Sequence, residues 1–291
     1  MRTALRLSAI GIAAAALLSS SGAGAASPTP TAAKPRHIMS MNMCTDLLLL
    51  QLVPKSRIAS VSYLAHDGVM ELFPGADAGV PVNHGTAEDV LKEKPDLILA
   101  GQDSTPVTTA LAKRVGARII QVKESTNFKD IRTFIQQIGE AVGEQERAEA
   151  LVRHIDATLG ELAANPPKHR LRVVAWTGGS SVPGRDSLTN AIVEAEGSEN
   201  IAAMPGRRNT TFGVEELLRA DPDALLFEGI SSGTPSLRSD EGQHRVVREI
   251  YGSRRISYNE AAHGCGLPQS ADAARDLRRA LDALPEPRPR R

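Results

Sequence analysis

Residues 87–100 read AEDVLKEKPDLILA, and residues 214–227 read VEELLRADPDALLF. Each stretch opens with acidic residues, which favour a helix N-terminus, and then reaches a Pro-Asp pair, which ends a helix. Each continues as an apolar run without polar alternation, which is typical of a strand buried on both faces of a parallel sheet. Two copies of this helix–Pro-Asp–strand pattern predict two similar lobes. The alternative is that a common pattern recurs by chance.

Length and composition are compatible with such an arrangement. The chain has 291 residues, enough for one large domain or two lobes, and it is 41% hydrophobic and 23% charged, as in soluble globular proteins. Its 34 Lys and Arg residues balance 34 Asp and Glu residues. The overall charge therefore gives no argument for nucleic acid or an anionic membrane surface as a partner.

The N-terminus has the pattern of a targeting segment. Arg2 and Arg6 precede an apolar run over residues 7–18, which is too short to span a bilayer comfortably, and small residues follow it. We therefore expect residues 1–26 to be a cleavable signal peptide and the mature protein to lie in a bacterial periplasm. No cysteine directly follows the apolar run, so a lipoprotein anchor is not expected.

The order of predicted elements indicates the fold class. Strand-like runs alternate with helical periodicity and no hairpin signal is present, which predicts an α/β fold with parallel-type sheets flanked by helices. A long helical pattern, broken near Gly139 and Gly143 and stopped by Pro166, lies between the two repeats and is expected to connect the lobes. The predicted segments are a linker at 27–35, an N-terminal α/β lobe at 36–140, the connector helix at 141–168, a C-terminal α/β lobe at 169–284 and a disordered tail at 285–291.

Candidate binding residues follow from the sheet type, because ligands of parallel sheets lie beyond the carboxyl ends of the strands. The loops predicted at these ends contain much of the chain's distinctive chemistry, in a sequence that has only one Trp and three Tyr. Tyr63 and Trp176 could instead cap the cores of the lobes. The predicted ligand-binding residues are Cys44, Thr45, Tyr63, His66, Trp176, Arg185 and His263.

Three common catalytic or cofactor-binding signatures are absent from the sequence. It has no H-E-x-x-H, no phosphate-binding loop and no G-x-G-x-x-G after a predicted strand. We therefore predict no enzymatic activity, no catalytic residue, no resident metal and no covalently bound cofactor.

The two cysteines, Cys44 and Cys265, allow several interpretations. An oxidising compartment favours a disulfide, which would join the two lobes and contribute roughly 5 kcal/mol in the chain-entropy account. The alternatives are a soft-metal or cofactor site completed by nearby histidines, or two free thiols. Cys44 with His84 or His263 could also form a nucleophile and a base.

Glu88 and Glu215 occupy matching positions at the starts of the two repeat helices. Stabilisation of the helix dipole, worth about 0.3–1 kcal/mol each, would explain them. The functional alternative is a symmetric pair of acidic contacts for a partner that carries arginines.

Several segments together resemble a known family. They are R-x-I-x-S-x₆-L-L-L from Arg36, RIASVSY at 57–63, EDVLKEKPDLI at 88–98 with its echo at 215, and GSENI at 197–201. The pattern over residues 36–284 is similar to the periplasmic substrate-binding proteins of ABC importers for cobalamin and ferric siderophores. This resemblance implies two α/β lobes joined by one rigid helix and a ligand held between them. It also implies that Glu88 and Glu215 dock onto arginines of the membrane permease.

The resulting hypothesis is a monomeric periplasmic protein that delivers an iron-siderophore, cobalamin or similar metal chelate to an ABC importer permease. The chelate would be transported cargo, and its identity stays open because the sequence has fewer aromatics than such pockets usually have. Two alternatives are a thiol-dependent periplasmic enzyme and a periplasmic metal-ion binder. The metal-ion binder would use Cys44, Cys265, His66 and His263.

Overall fold

The first sheet of the protein contains five parallel strands. The structure is a computed structural model, and it describes residues 33–102, 110, 112–176, 181–206, 209–228 and 245–285. The strand order is β3-β2-β1-β4-β5. The bounds are β1 Ile38–Ser40, β2 Ile58–Ser62, β3 Val82–Asn83, β4 Leu97–Gly101 and β5 Arg118–Val122. The helices of this half are α1 Met43–Leu52, α2 Ala65–Leu72, α3 Ala87–Glu93 and α4 Phe128–Val142, with a short 3₁₀ helix at Lys55–Arg57.

The second sheet contains four parallel strands in the order β11-β10-β6-β8. These strands are β6 Arg172–Ala175, β8 Glu199–Asn200, β10 Ala224–Glu228 and β11 Arg255–Tyr258. The helices after α4 are α5 Gln145–Ala164, α6 Leu188–Glu196, α7 Val214–Ala220, α8 Arg245–Tyr251, α9 Glu260–Gly264 and α10 Gln269–Asp282, with a 3₁₀ helix at Gly252–Arg254. The predicted α/β class with parallel sheets flanked by helices is confirmed.

Several short elements depart from the sequence expectations. Strands β7, Ser181–Pro183, and β9, Asn209–Thr211, pair antiparallel, although no hairpin was expected. They are three residues long and far apart in the chain, so no local turn signal announces their pairing. Strand β3, Val82–Asn83, and helix α9 were also not predicted, because such short segments show no periodicity that could be recognised.

The long helical stretch is divided at Gly143, as predicted. This glycine caps the end of α4 with φ +74°. That is a left-handed backbone conformation, which costs glycine little because it has no Cβ. Helix α5 packs against α4 of the first half and against α6 and α10 of the second half. It therefore contacts elements of both halves, as a connector requires.

The repeat predicted from sequence is visible in the ends of helices α3 and α7. Helix α3 ends at Lys94, with φ 49°, and α7 ends at Asp221, with φ 42°. These are the only non-glycine residues with positive φ in the described part of the chain, and each directly precedes a proline. Both helices thus end in the same uncommon way.

The aspartate after each proline performs the same task in the two halves. The Asp96 carboxylate accepts the backbone N–H groups of Arg36 at 2.7 Å and His37 at 3.1 Å, just before β1. The Asp223 carboxylate accepts the N–H of Arg172 at 2.8 Å, at the start of β6. Each Pro-Asp pair therefore ties the repeat strand to the first strand of its own sheet.

One apolar core runs through both halves. It includes side chains from one face of each sheet together with α1, α4, α5, α6 and α10, and smaller clusters cover the opposite faces. Among the described residues no helix has both the length and the apolarity needed to cross a membrane. Representative members of the shared core are Ile38, Leu48, Leu99, Ile135, Ile155, Val173, Leu226 and Leu277.

Candidate functional site

A cavity of about 440 Å³ lies at the carboxyl ends of β1, β4 and β5. This is the edge at which parallel sheets bind ligands, and the volume suits a small solute. The first half supplies most of its lining, and the second half contributes two glycines that flank Cys265. The lining residues are Asn42, Cys44, Gly101, Gln102, Val122, Lys123, Glu124, Ser125, Phe134, Gly264 and Gly266, and we call this space the strand-end cavity.

A disulfide between Cys44 and Cys265 lies beside the cavity, with the two Cα atoms 4.9 Å apart. Cys44 is half-buried in the first turn of α1, whereas Cys265 is fully buried just after α9. The predicted disulfide is confirmed, and it connects the two halves across 221 positions of sequence.

The same bond overturns the alternatives that require free sulfur. Neither Cys44 nor Cys265 has a thiolate to offer a metal or a substrate, because both sulfurs belong to the disulfide. In the described ranges no group of three or more His, Cys, Asp or Glu side chains is arranged to hold a metal ion. In this oxidised form the two cysteines therefore cannot act as the metal ligands or as the nucleophile that the hypotheses of a metal-ion binder and of a thiol enzyme require.

Asn42 presents a polar group to the cavity, although it is not among the predicted ligand-binding residues. Its Oδ1 accepts the N–H groups of Cys44 at 3.0 Å and Thr45 at 3.4 Å, which caps α1. Its Nδ2 therefore turns toward Gly101, where an added Cβ would lie only 3.1 Å away. Within the part of the chain that the structure describes, this nitrogen has no acceptor. It can donate to a solute oxygen.

Further polar groups come from the ends of β4 and β5. Gln102 follows β4, and Lys123, Glu124 and Ser125 follow β5. The rule that ligands bind at strand ends applies to all four, although none of them is among the predicted ligand-binding residues. The cavity therefore offers amide, hydroxyl and ammonium donors together with one carboxylate, which suits a solute rich in oxygen atoms.

A buried polar cluster lies beneath α1. Asp46 is fully buried, and its carboxylate accepts the backbone N–H of Ser62 at 3.2 Å and the hydroxyl of Ser62 at 2.5 Å. Burial raises the pKa of Asp46 to about 6, although hydrogen bonds from Ser40 and Ser62 oppose that rise. Thr45, predicted to bind ligand, is fully buried and shares a 2.7 Å hydrogen bond with Ser40. Its hydroxyl therefore fixes α1 to β1, which corrects the prediction.

Tyr63 and His66 lie on the exterior near α2. Tyr63 is 56% exposed and its ring stacks on His84, with centroids 5.5 Å apart and 16° between the planes. His66 is exposed, and its Nδ1 lies 2.9 Å from the Asp77 carboxylate. Neither side chain lines the strand-end cavity. Their roles as ligand contacts stay predictions.

Trp176 belongs to the core of the second half. It is 0% exposed, and its Nε1–H donates to the Phe212 carbonyl at 2.8 Å. Val174 and Trp176 point to the same face of the sheet and pack in one apolar cluster with Tyr251. This placement corrects the prediction that Trp176 contacts a ligand and agrees with the alternative of a core cap.

His263 and Arg185 are separate from the strand-end cavity. His263 is buried in α9, where its ring lies 4.2 Å from the Tyr258 ring and its Nδ1 has no partner among the described residues. Burial lowers the pKa of His263 to about 3, so the imidazole is neutral near pH 7. Arg185 is exposed beside a groove lined by Glu194 and Glu199. The structure therefore does not bring these two residues to the cavity.

Glu88 and Glu215 are both exposed in the first turns of their helices. Their neighbours perform the capping: Asp89 accepts the N–H of Thr86 at 3.1 Å, and Glu216 accepts the N–H of Gly213 at 3.0 Å. Neither Glu88 nor Glu215 has a hydrogen-bond partner in the described segments. Both carboxylates face solvent.

Comparison with known proteins gives a consistent result. A sequence model of the periplasmic binding protein family matches residues 52–249. The uncharacterized ABC transporter substrate-binding lipoprotein YvrC of Bacillus subtilis is 25% identical over 173 residues, covering 55% of this chain and 54% of that protein. The cobalamin-binding protein of Halobacterium salinarum is 23% identical over 213 residues, covering 69% of this chain and 55% of that protein.

A solved structure has the same fold. The periplasmic heme-binding protein HutB of Vibrio cholerae aligns with a TM-score of 0.70 at 17% identity, covering 84% of this chain and 98% of that one. At this identity the likeness concerns the fold alone. The chain spans only about half the length of the curated relatives it matches.

Proposed function

Because this chain belongs to the periplasmic binding protein family, we propose that it captures a solute in the strand-end cavity and delivers it to an ABC importer. The observation that carries the proposal is the cavity itself. It opens at the carboxyl ends of a parallel sheet, and residues of both halves line it, through Asn42 on one side and Gly264 on the other. A protein that only binds and releases a solute needs a binding site of this kind and needs no catalytic group.

The proposed solute is a metal chelate such as an iron-siderophore or cobalamin. Relatives whose names state cobalamin or heme binding support this class. The unpartnered Asn42 amide, together with Lys123, supports a chelate with acceptor oxygens at its surface. The chelate would be transported cargo, and the protein would act as a monomer.

A thermal-shift screen tests this proposal. Purified protein is heated with cyanocobalamin, hemin or ferric complexes of citrate, hydroxamate and catecholate siderophores. A solute at about 100 times its Kd stabilises the folded state by about 2.7 kcal/mol, which raises Tm by roughly 5–10 °C for a chain of this size. The metal-free siderophores are the controls. An unchanged Tm with every chelate, for protein with intact secondary structure, would contradict the proposal.

The proposed location is the periplasm. The predicted signal peptide, residues 1–26, lies outside the described residues, as do most of the predicted linker at 27–35 and residues 286–291 of the predicted tail. Cell fractionation and N-terminal sequencing of the exported protein test the location. We expect the mature chain in the periplasmic fraction, beginning after Ala25 or Ala26. An intact N-terminus in the cytoplasm would contradict export.

The proposed permease contacts are Glu88 and Glu215. Their exposure and matched positions on α3 and α7 support symmetric pairing with arginines of a two-fold partner. The double substitution Glu88→Lys and Glu215→Lys should abolish import while solute affinity is unchanged. Glu146→Lys, an exposed acid in the first turn of α5, is the matched control and should import normally. Loss of solute affinity in the double variant would place these residues in the binding site instead.

A further inference from the structure

Residues 260–266, which we call the strap, are held against the first half at both ends. At the N-terminal end, the Ala261 N–H donates to Oε2 of Glu71 in α2 at 2.9 Å. At the C-terminal end, Cys265 is bonded to Cys44. Just beyond the strap, Gln269 donates to the Gln51 side chain at 3.0 Å. The strap thus fastens the second half to α1 and α2.

The strap also forms the second-half wall of the strand-end cavity. Gly264 and Gly266 are the lining residues that this half supplies. Gly266 lies so close to Ser125 that an added Cβ would stand 2.4 Å from the Ser125 side chain. The wall therefore depends on the strap staying in close contact with the residues after β5.

Of the three attachments, only the disulfide is covalent. Burial raises the pKa of Glu71, and the nearby carboxylates of Glu260 and Asp67 raise it further, although the hydrogen bond from Ala261 opposes that rise. The Gln51–Gln269 contact is a neutral hydrogen bond, which contributes little net stability. Among these three bonded contacts, the disulfide is therefore the one whose loss should matter most for the strap.

We propose that the Cys44–Cys265 disulfide is a redox-dependent fastener, and that its reduction releases the strap and opens one wall of the strand-end cavity. This proposal rests on the proposed function only in taking that cavity as the solute site. The fastener's release is a property of the chain itself, so it can be tested without a solute.

The reductant required is a dithiol. Its thiolate attacks Cys44, the half-buried partner, from the cavity side, and Cys265 leaves as a thiolate that takes up a proton. The second thiol of the reductant then displaces Cys44 from the mixed disulfide. Two electrons and two protons pass to the protein, and the reductant becomes a cyclic disulfide.

Hydrogen–deuterium exchange of the complete mature chain tests the proposal without any solute. Oxidised protein and protein reduced with dithiothreitol are compared in peptides covering residues 259–268. We expect amide exchange there, including the amides of Ala261 and Cys265, to be at least tenfold faster after reduction. Exchange in β6 and β10 should not change.

Variants separate the disulfide from the polar attachments. Cys44→Ser with Cys265→Ser should reproduce the fast exchange of the strap, whereas Gln51→Ala, which keeps the disulfide, should exchange like wild type. If the double variant does not fold, the comparison of oxidised and reduced wild-type protein decides. Equal strap exchange in the two redox states would overturn the proposal. So would equally faster exchange in β6 and β10, because the bond would then support the whole fold. Neither result would bear on whether the cavity binds a solute.

Discussion

Asp46 shows how a single buried carboxyl group can set a pH dependence. Its folded-state pKa, about 6, lies above the ordinary value of 3.8 because burial disfavours the charged form. The folded state therefore binds this proton more tightly than the unfolded state does. The associated stability is present at low pH and is lost as the pH rises through about 6.

Replacing Asp46 with Asn should remove this pH dependence. We expect the free energy of unfolding of wild type, relative to Asp46→Asn, to rise by about 2–3 kcal/mol between pH 8 and pH 4. Urea titrations at several pH values measure the difference. Buried His263 changes stability with pH in the opposite direction, because burial lowers its pKa. Both proteins share this contribution, so it cancels when their free energies of unfolding are subtracted. Parallel stability curves for the two proteins would contradict the assignment.

Trp176 illustrates a residue whose role the sequence could not decide. It ends a strand, a position that can face either a ligand or a core, and the run before it is apolar on both faces. Only the three-dimensional packing, with Phe212 and Tyr251 around the ring, settles the matter. Asn42 is the converse case. Its capping role was recognisable, but the direction of its free amide depends on the position of Gly101.

The buried position of Trp176 predicts its fluorescence. It is the chain's only tryptophan, so intrinsic emission reports on this site alone. We expect a blue-shifted emission maximum and weak quenching by iodide, because the ring is 0% exposed. Unfolded protein in guanidinium chloride is the control and should be quenched strongly. Strong quenching of the folded protein would instead place Trp176 on an accessible surface.

At the scale of elements, the repeated pattern was the part of the fold that sequence could predict best. Acidic helix starts, Pro-Asp breaks and apolar strands are local signals, and the structure reproduces them in both halves. The elements missed include β3, β7, β9 and α9, whose formation depends on long-range packing. Because α9 carries Gly264 of the cavity wall, the form of that wall could not be predicted from the sequence.

The equivalence of the repeats predicts equal costs for equivalent substitutions. Asp96→Ala and Asp223→Ala should each lower the free energy of unfolding by about 1–3 kcal/mol, since each removes a charged acceptor from backbone N–H groups. Chemical denaturation measures both. Asp156→Ala, on the exposed side of α5, is a control expected to change stability by less than about 1 kcal/mol. A large cost at only one of the two aspartates would show that the repeats are not equivalent.

At the scale of the molecule, two features join the halves. A continuous apolar core includes side chains of α5 and of both halves. The Cys44–Cys265 disulfide joins the two halves covalently. The expectation of an oxidising compartment favoured the disulfide, and the structure contains it. The lining of the cavity could not be predicted to the same extent, since it depends on how the loops of two distant segments meet.

Filling the strand-end cavity tests the central claim most directly. A Cβ added to Gly264 meets no atom within 4 Å, so Gly264→Trp can place a bulky ring at the cavity wall without a clash at its base. Gly160, on α5, also has open space around it and lies outside the lining, so Gly160→Trp is the matched control. Both variants are first checked by mass spectrometry for an intact disulfide.

Isothermal titration calorimetry with the chelate that gives the largest thermal shift is the deciding measurement. We predict that Gly264→Trp weakens binding at least tenfold, while Gly160→Trp binds like wild type. Unchanged affinity in a folded, disulfide-bonded Gly264→Trp protein would contradict the account, because the solute would then bind elsewhere.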